Sequence, residues 1–307
     1  MQHRILGKTG MNVSVLGFGG AEIGFEKPDI GAVSRLLNAA LDAGLNALDT
    51  AECYWAGSEE TASEHLIGET IGHRRSEYFL FTKCGHASGI DAPDWSPQLL
   101  TQSIDRSLKR LRTDSVDLVQ LHSCGVDILR QGDVIAVLRQ ARDAGKTRFI
   151  GYSGDGENAK YAIETGAFDT LQTSVNVMDQ ECLTKTLPLA VERGMGVIAK
   201  RPIANAVWRH VNEADVPEYR KPYWDRMQKL GYDFLNTQDG DARTRTALRF
   251  ALTAPGVTTA IVGTKTPERW AQNAALLADG VTLSESEFKQ ILERWNAIAG
   301  ADWVGQT

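Results

Sequence analysis

A unit that recurs along the chain constrains its fold more than any other feature: an apolar stripe at helical spacing, a small or charged last turn, a glycine, then a short apolar strand. It runs from Leu37 through Gly44 into Asn46-Ala47-Leu48, and from Val137 through Gly145 into Arg148-Phe149-Ile150. Two further copies end in Gly166 before Thr170-Leu171-Gln172 and in Gly194 before Val197-Ile198-Ala199. Glycine suits the left-handed position just past a helix, so each copy reads as helix, cap, strand. Helix starts are marked too, by Ser96-Pro97, by Thr266-Pro267 and by Ser284 with Glu287 in a capping box.

Four more strands complete the set: Val13 to Phe18, Tyr78 to Phe81, Val116 to Leu121 and Thr259 to Val262. Eight strands alternating with helices in 307 residues favour a closed parallel (β/α)8 TIM barrel. The rival is an open doubly wound sheet, which usually carries GxGxxG after its first strand. Here Gly17-Phe18-Gly19-Gly20 runs on into Ala21-Glu22, and that fingerprint is absent. No linker or low-complexity tract splits the chain, so residues 1–307 are expected to form a single domain. The longest strand-poor insertion, Arg201 to about Asp241, is expected to lie as a loop over the active face.

A net charge of −6 argues against nucleic acid or an anionic membrane as partner. The N-terminus lacks the apolar core of a signal peptide, and no run approaches the roughly 20 apolar residues of a spanning helix, so a soluble cytoplasmic protein is expected. The four cysteines show no CxxC pair, which argues against a disulfide framework in that compartment.

Asp49, Tyr54, Lys83 and His122 follow the second, third and fourth strands, which in a barrel are adjacent staves opening on one mouth. A proton-transfer site needs that proximity, because the donor must come within about 3 Å of the reacting oxygen. A free tyrosine is a feeble acid at neutral pH. An ammonium about 4 Å away at an effective dielectric of 20 stabilises its anion by about 4 kcal/mol. Lys83 is therefore expected to lower Tyr54, Asp49 to hold Lys83, and His122 to aim a substrate carbonyl. Taken singly, each also reads as an ordinary loop cap, strand end, core histidine or packed ring.

The constellation resembles the tetrad of the aldo-keto reductase family, whose Asp-Thr-Ala-x-x-Tyr motif stands here as Asp49-Thr50-Ala51-Glu52-Cys53-Tyr54. The resemblance extends through Leu6-Gly7-Lys8-Thr9-Gly10, Leu16-Gly17-Phe18-Gly19-Gly20, Asp117-Leu118-Val119-Gln120-Leu121-His122 and Ile150-Gly151-Tyr152-Ser153, and covers nearly the whole chain. It implies a (β/α)8 barrel with an N-terminal β-hairpin and long loops on the catalytic face. It implies NADPH/NADP+ as cofactor and an aldehyde, ketone or alcohol as small-molecule substrate, with Tyr54 as general acid/base and Tyr54, Trp55 and His122 facing the substrate. On the cofactor side it implies Gly19, Gly20 and Asp49, with Ser153 and Gln172 on the nicotinamide carboxamide. Gly263, Thr264, Lys265 and Arg269 would hold the adenosine phosphate, and Asn273 the adenine.

Three positions depart from the family's habit. Gly154 stands where Asn is frequent, Lys200 or Arg201 where an aromatic ring often stacks on the nicotinamide, and Gly263 where a lysine is common, with Lys265 as its substitute. Independently of the resemblance, Lys265 and Arg269 flank a helix start, where free N–H groups favour an anion; a solvated, well-capped helix is the plainer reading. Trp55, Trp95, Trp208, Tyr223 and Trp224 either wall an apolar pocket or pack within loops.

Two rivals of different class stand beside an enzyme reading. Cys53, Cys84 and Cys124 near the same strand ends suggest zinc with His122, although strand alternation turns Cys84 toward the helices. A non-catalytic nicotinamide-cofactor-binding or partner protein on the same fold is the other. The natural substrate, the working direction and the oligomeric state are not legible.

Overall fold

In a computed structural model of the chain, which describes residues 1–306, Gly44, Gly145, Gly166 and Gly194 take φ values of 90°, 76°, 66° and 63°. Each ends a helix in the left-handed region and hands the chain to a strand, as the recurring unit requires. The strands are β1 (His3–Ile5), β2 (Asn12–Ser14), β3 (Leu16–Gly19), β4 (Ala47–Asp49), β5 (Phe79–Cys84), β6 (Val116–His122), β7 (Thr147–Ser153), β8 (Thr170–Ser174), β9 (Gly196–Lys200) and β10 (Val257–Val262). β1 and β2 pair antiparallel as a hairpin. The other eight are parallel and close into a barrel in the order β10-β3-β4-β5-β6-β7-β8-β9.

The expected first strand, Val13 to Phe18, is two elements. At the break, the Ser14 hydroxyl donates to the Leu16 carbonyl at 2.9 Å and the Ser14 N–H donates to Asn46 Oδ1 at 2.6 Å. These bonds turn the chain from the hairpin into the barrel. β4, β5 and β6 run further than expected, so Asp49, Lys83 and His122 lie within the ends of strands rather than just past them.

Period-two alternation then decides what each end of the barrel contains. Ala47, Phe81, Leu118, Ile198 and Ile261 pack with Leu6, Met11 and Val13 of the hairpin region into one apolar cluster, which stops the N-terminal end. One inward step further along the same staves come Asp49, Lys83, Gln120 and Lys200. The apolar end stabilises; the polar end is left for chemistry.

Ser96 caps the helix Pro97–Leu111 by accepting from Leu99 N–H, and Ser284 with Glu287 forms the expected box ahead of Glu285–Ile298. Thr266 occupies the cap position of Pro267–Ala275 without capping it; its N–H instead donates to Thr264 Oγ1 at 3.1 Å. The Arg201–Asp241 segment is not a bare loop. It contains the helix Lys221–Leu230, and Trp208, Tyr223 and Leu230 are buried with Val177, Met178, Phe250, Trp295 and Trp303 in a second core. Trp208 and Tyr223 thus pack in that second core, and Trp224 is buried as well. No helix of the described residues is long and apolar enough to cross a membrane.

Candidate active site

The register of β4, β5 and β6 brings Asp49, Lys83 and His122 to one mouth, and the loop after β4 folds Tyr54 back over them. Lys83 Nζ donates to Asp49 Oδ2 at 2.5 Å and to the Thr50 carbonyl at 2.8 Å, and lies 3.4 Å from the Tyr54 hydroxyl. Asp49 and Lys83 are each 1% exposed. Burial alone would lower the lysine; Asp49, then Tyr54, outweigh it and hold its ammonium above the usual value. A charged lysine at this depth is thus sustained by a bonded carboxylate.

Lys83 does lower Tyr54, as expected, but it does not prevail. Burial raises the phenol more than Lys83 lowers it, and the net position is pushed up to about 12. At 3.4 Å the ammonium favours the phenolate, but the hydration that a half-buried phenolate gives up outweighs it. Tyr54 therefore stays protonated, with a cation beside its hydroxyl.

His122 makes an edge-on contact with Tyr54, ring centres 5.7 Å apart, and with His86 at 5.3 Å. Burial, then Lys83, His86, Lys200 and Arg201, hold its imidazole well below the usual range. It is neutral at neutral pH, and one ring nitrogen is a donor. His86 in turn packs against Trp95, ring centres 5.3 Å apart, and the pair walls the mouth beside His122. Trp55 lies further out, with the guanidinium groups of Arg110 and Arg106 at 5.3 and 6.0 Å from its ring centre.

The loop that carries Tyr54 is anchored from outside the barrel. Glu52, 1% exposed, forms ion pairs with Arg106 and Arg110 of the helix Pro97–Leu111, and Arg110 also donates to the Glu52 carbonyl at 3.0 Å. Gly24 meets the same loop: a Cβ there would lie 2.2 Å from the Tyr54 carbonyl oxygen. Tyr54 is placed by a clamp on one side and a close backbone approach on the other.

Ser153 and Gln172 come together, the hydroxyl donating to Gln172 Oε1 at 3.1 Å, and Gln172 Nε2 donates to Asp49 Oδ1 at 2.7 Å. Gln120 Nε2 reaches the same oxygen at 3.4 Å, while Gln120 Oε1 is buried without a partner. An orphaned acceptor beside a hydroxyl–amide pair suits a ligand with an amide of its own, so the residues present fit a nicotinamide. Gly154 also has a local reason, since a Cβ there would sit 2.7 Å from the Tyr152 ring.

At positions the resemblance assigns to the cofactor, Gly19 and Gly263 bring two backbones close, a Cβ at Gly19 falling 3.4 Å from the Gly263 nitrogen. Gly20 is equally confined, by Ser63 Oγ at 2.5 Å from such a Cβ. At Gly263 the space of a Cβ is filled by the Glu22 carboxylate. Lys265 and Arg269 do flank the start of Pro267–Ala275, with Thr264 and Asn273 buried beside them. Both cations are paired, Lys265 with Glu26 and Arg269 with Asp241 at 3.7 Å, so a phosphate would exchange partners with exposed acids.

Lys200 does not stand free as a stacking stem: it pairs with buried Asp155 at 2.8 Å. Arg201 donates to Ser174 Oγ at 2.9 Å and to the Tyr219 hydroxyl at 2.8 Å. Asp155, Gln120, His86 and Glu22 escaped the sequence reading. Gln120 was detectable, two residues before His122 and hence on the same face; Asp155 likewise lies two residues beyond Ser153. Of the thiols, Cys84 turns out among the helices as alternation requires, and Cys124 is also in that outer core. Among the described residues no three His, Cys, Asp or Glu side chains converge as a metal-ligand set.

Comparison with known proteins follows the same lines. The model for the Aldo/keto reductase family matches residues 15–296. The chain is 29% identical to L-galactose dehydrogenase of Arabidopsis thaliana over 92% of both chains. It is 28% identical to 6-dehydroglucose reductase of Novosphingobium aromaticivorans, over 89% of this chain and 90% of that one. A solved aldo-keto reductase of Bacillus halodurans in its holo form matches with a TM-score of 0.76 over 99% of both chains at 23% identity, a likeness of fold.

Proposed function

Because the chain belongs to the aldo/keto reductase family, we propose that it interconverts a carbonyl and an alcohol with NADPH/NADP+, Tyr54 serving as general acid in reduction and general base in oxidation. The observation that carries this reading is the buried Lys83 ammonium, bonded to Asp49 and 3.4 Å from the Tyr54 hydroxyl. When bound, the cofactor supplies or accepts the hydride. Everything else falls to the chain: His122 donates to the carbonyl oxygen and aims it, and Tyr54 delivers a proton to that oxygen as negative charge develops there.

A phenol pushed up to about 12 is a weaker acid than free tyrosine, yet it still passes its proton to the far stronger base, an alkoxide-like oxygen, that develops beside it. Lys83 then stabilises the phenolate left behind, and Asp49 keeps Lys83 in place and charged. Ser153 and Gln172 are assigned to the carboxamide, Gly19 and Gly20 to close approach of the cofactor. Lys265 and Arg269 at a helix N-terminus support NADPH over NADH, since an arginine there accommodates a 2′-phosphate. Residues 1–307 act as one barrel domain in this reading.

On the substrate side, His86 and Trp95 offer hydrogen bonding next to an aromatic surface, which suits hydroxylated carbonyl compounds better than plain alkyl ones. The two relatives named for sugar substrates support the same class.

The test is Tyr54→Phe. The variant is expected to bind NADPH as the native chain does, by fluorescence titration, while carbonyl reduction over a panel of aldoses and alkyl aldehydes falls at least about 100-fold. Full activity in the variant removes Tyr54 from the proton-donor role. Cofactor binding without turnover of any panel member by the native chain favours a non-catalytic cofactor-binding protein instead.

A further inference from the structure

Cys53 Sγ lies 3.4 Å from His122 Nδ1, and the reading above gives that contact no task. A neutral imidazole carries one ring proton, and the nitrogen that holds it is set by what the other nitrogen touches. Two arrangements fit the contact: the thiol donates to Nδ1, or Nδ1–H donates to sulfur. Sulfur is weak in either role, but the first arrangement pairs it with the better acceptor, the imidazole nitrogen, and it alone leaves a ring N–H at Nε2 to meet a carbonyl oxygen. Burial pushes the Cys53 thiol up to about 11, so it retains the proton it needs to donate. The opposite nitrogen, Nε2, bonds no described residue and is not among the buried unpaired atoms, so it opens on the mouth.

We propose that Cys53 is a positioning residue for His122: its thiol donates to Nδ1, confines the ring proton to Nε2, and presents Nε2–H to the carbonyl oxygen of the substrate. The inference rests on the reading of His122 as the group that aims the carbonyl. No bond to sulfur forms or breaks. Because Cys53 precedes Tyr54 in the clamped loop, one short segment places both the acid and the donor orientation of its neighbour.

The experiment is 15N NMR of the full chain labelled at histidine, with His122→Asn used only to assign the His122 signals among the six histidines. The native chain is expected to show an unprotonated Nδ1 and a protonated Nε2 at neutral pH. Cys53→Ala is expected to give a mixture of tautomers and to lower kcat for carbonyl reduction about 10-fold at unchanged NADPH affinity. Cys53→Ser, which keeps a donor, is expected to recover most of both. An Nδ1–H tautomer in the native chain overturns the proposal without any variant. Either change in Cys53→Ala without the other overturns it too, since a fall in kcat alone marks a packing role. The native tautomer is read without substrate, so an absence of reductase activity would sink the reading of function and leave this measurement standing.

Discussion

Tyr54 lies close to a cation and is half-buried, and the two circumstances act on its proton in opposite directions. Burial wins, and the sign sets the pH behaviour. A pKa raised to about 12 keeps the phenol protonated throughout the ordinary range, and an imidazole held below its usual range keeps His122 neutral there. Reduction by the native chain should therefore be flat in kcat from about pH 6.5 to about pH 9, whereas oxidation, which needs the phenolate, should climb toward about tenfold per pH unit. Paired pH profiles in the two directions check this; a reduction profile that falls near pH 6.5 would assign an ordinary imidazole to His122. At this scale the strand-end residues were legible because strand periodicity fixes where they point. The contact of Cys53 with His122 was not, because the direction of a loop sulfur follows no period.

At the scale of elements, Tyr54 is located by its neighbours rather than by its own strand. The turn Ala21–Phe25 presses Gly24 against the Tyr54 carbonyl, and the helix Pro97–Leu111 holds Glu52 from behind. Gly24→Ala should push the loop outward, costing about 1–3 kcal/mol of stability as overpacking and lowering kcat more than it raises KM. Denaturant melts together with steady-state kinetics would show it, and an unchanged kcat would mean the loop yields elsewhere. Helix caps and the glycine-to-strand joints were readable from sequence because they are local. The second core around Trp208 and Tyr223 was not, since its partners Val177, Phe250, Trp295 and Trp303 are far away in the chain and an aromatic in an irregular segment carries no periodic signal.

For the whole molecule, stability and chemistry occupy opposite ends of one barrel. Leu6 is fully buried against Gly196 and the apolar ends of the staves, so Leu6→Ala should destabilise the fold by about 2–5 kcal/mol while leaving KM and kcat unchanged at temperatures where the variant is folded. Calorimetry and kinetics on one preparation would separate the two effects, and a changed KM would show that the ends are coupled. Barrel closure was legible because eight strands alternating with helices leave few alternatives. The division at Val15 was not, since it depends on side-chain bonds from Ser14 and Asn46 that no pattern announces. The stoppered N-terminal end bears on traffic as well, because the apolar plug leaves no room for entry from below. Under the proposed function, a cofactor seated deep by Gln172 and Asp49 would have to arrive before a substrate that stops at Tyr54, and would leave after it.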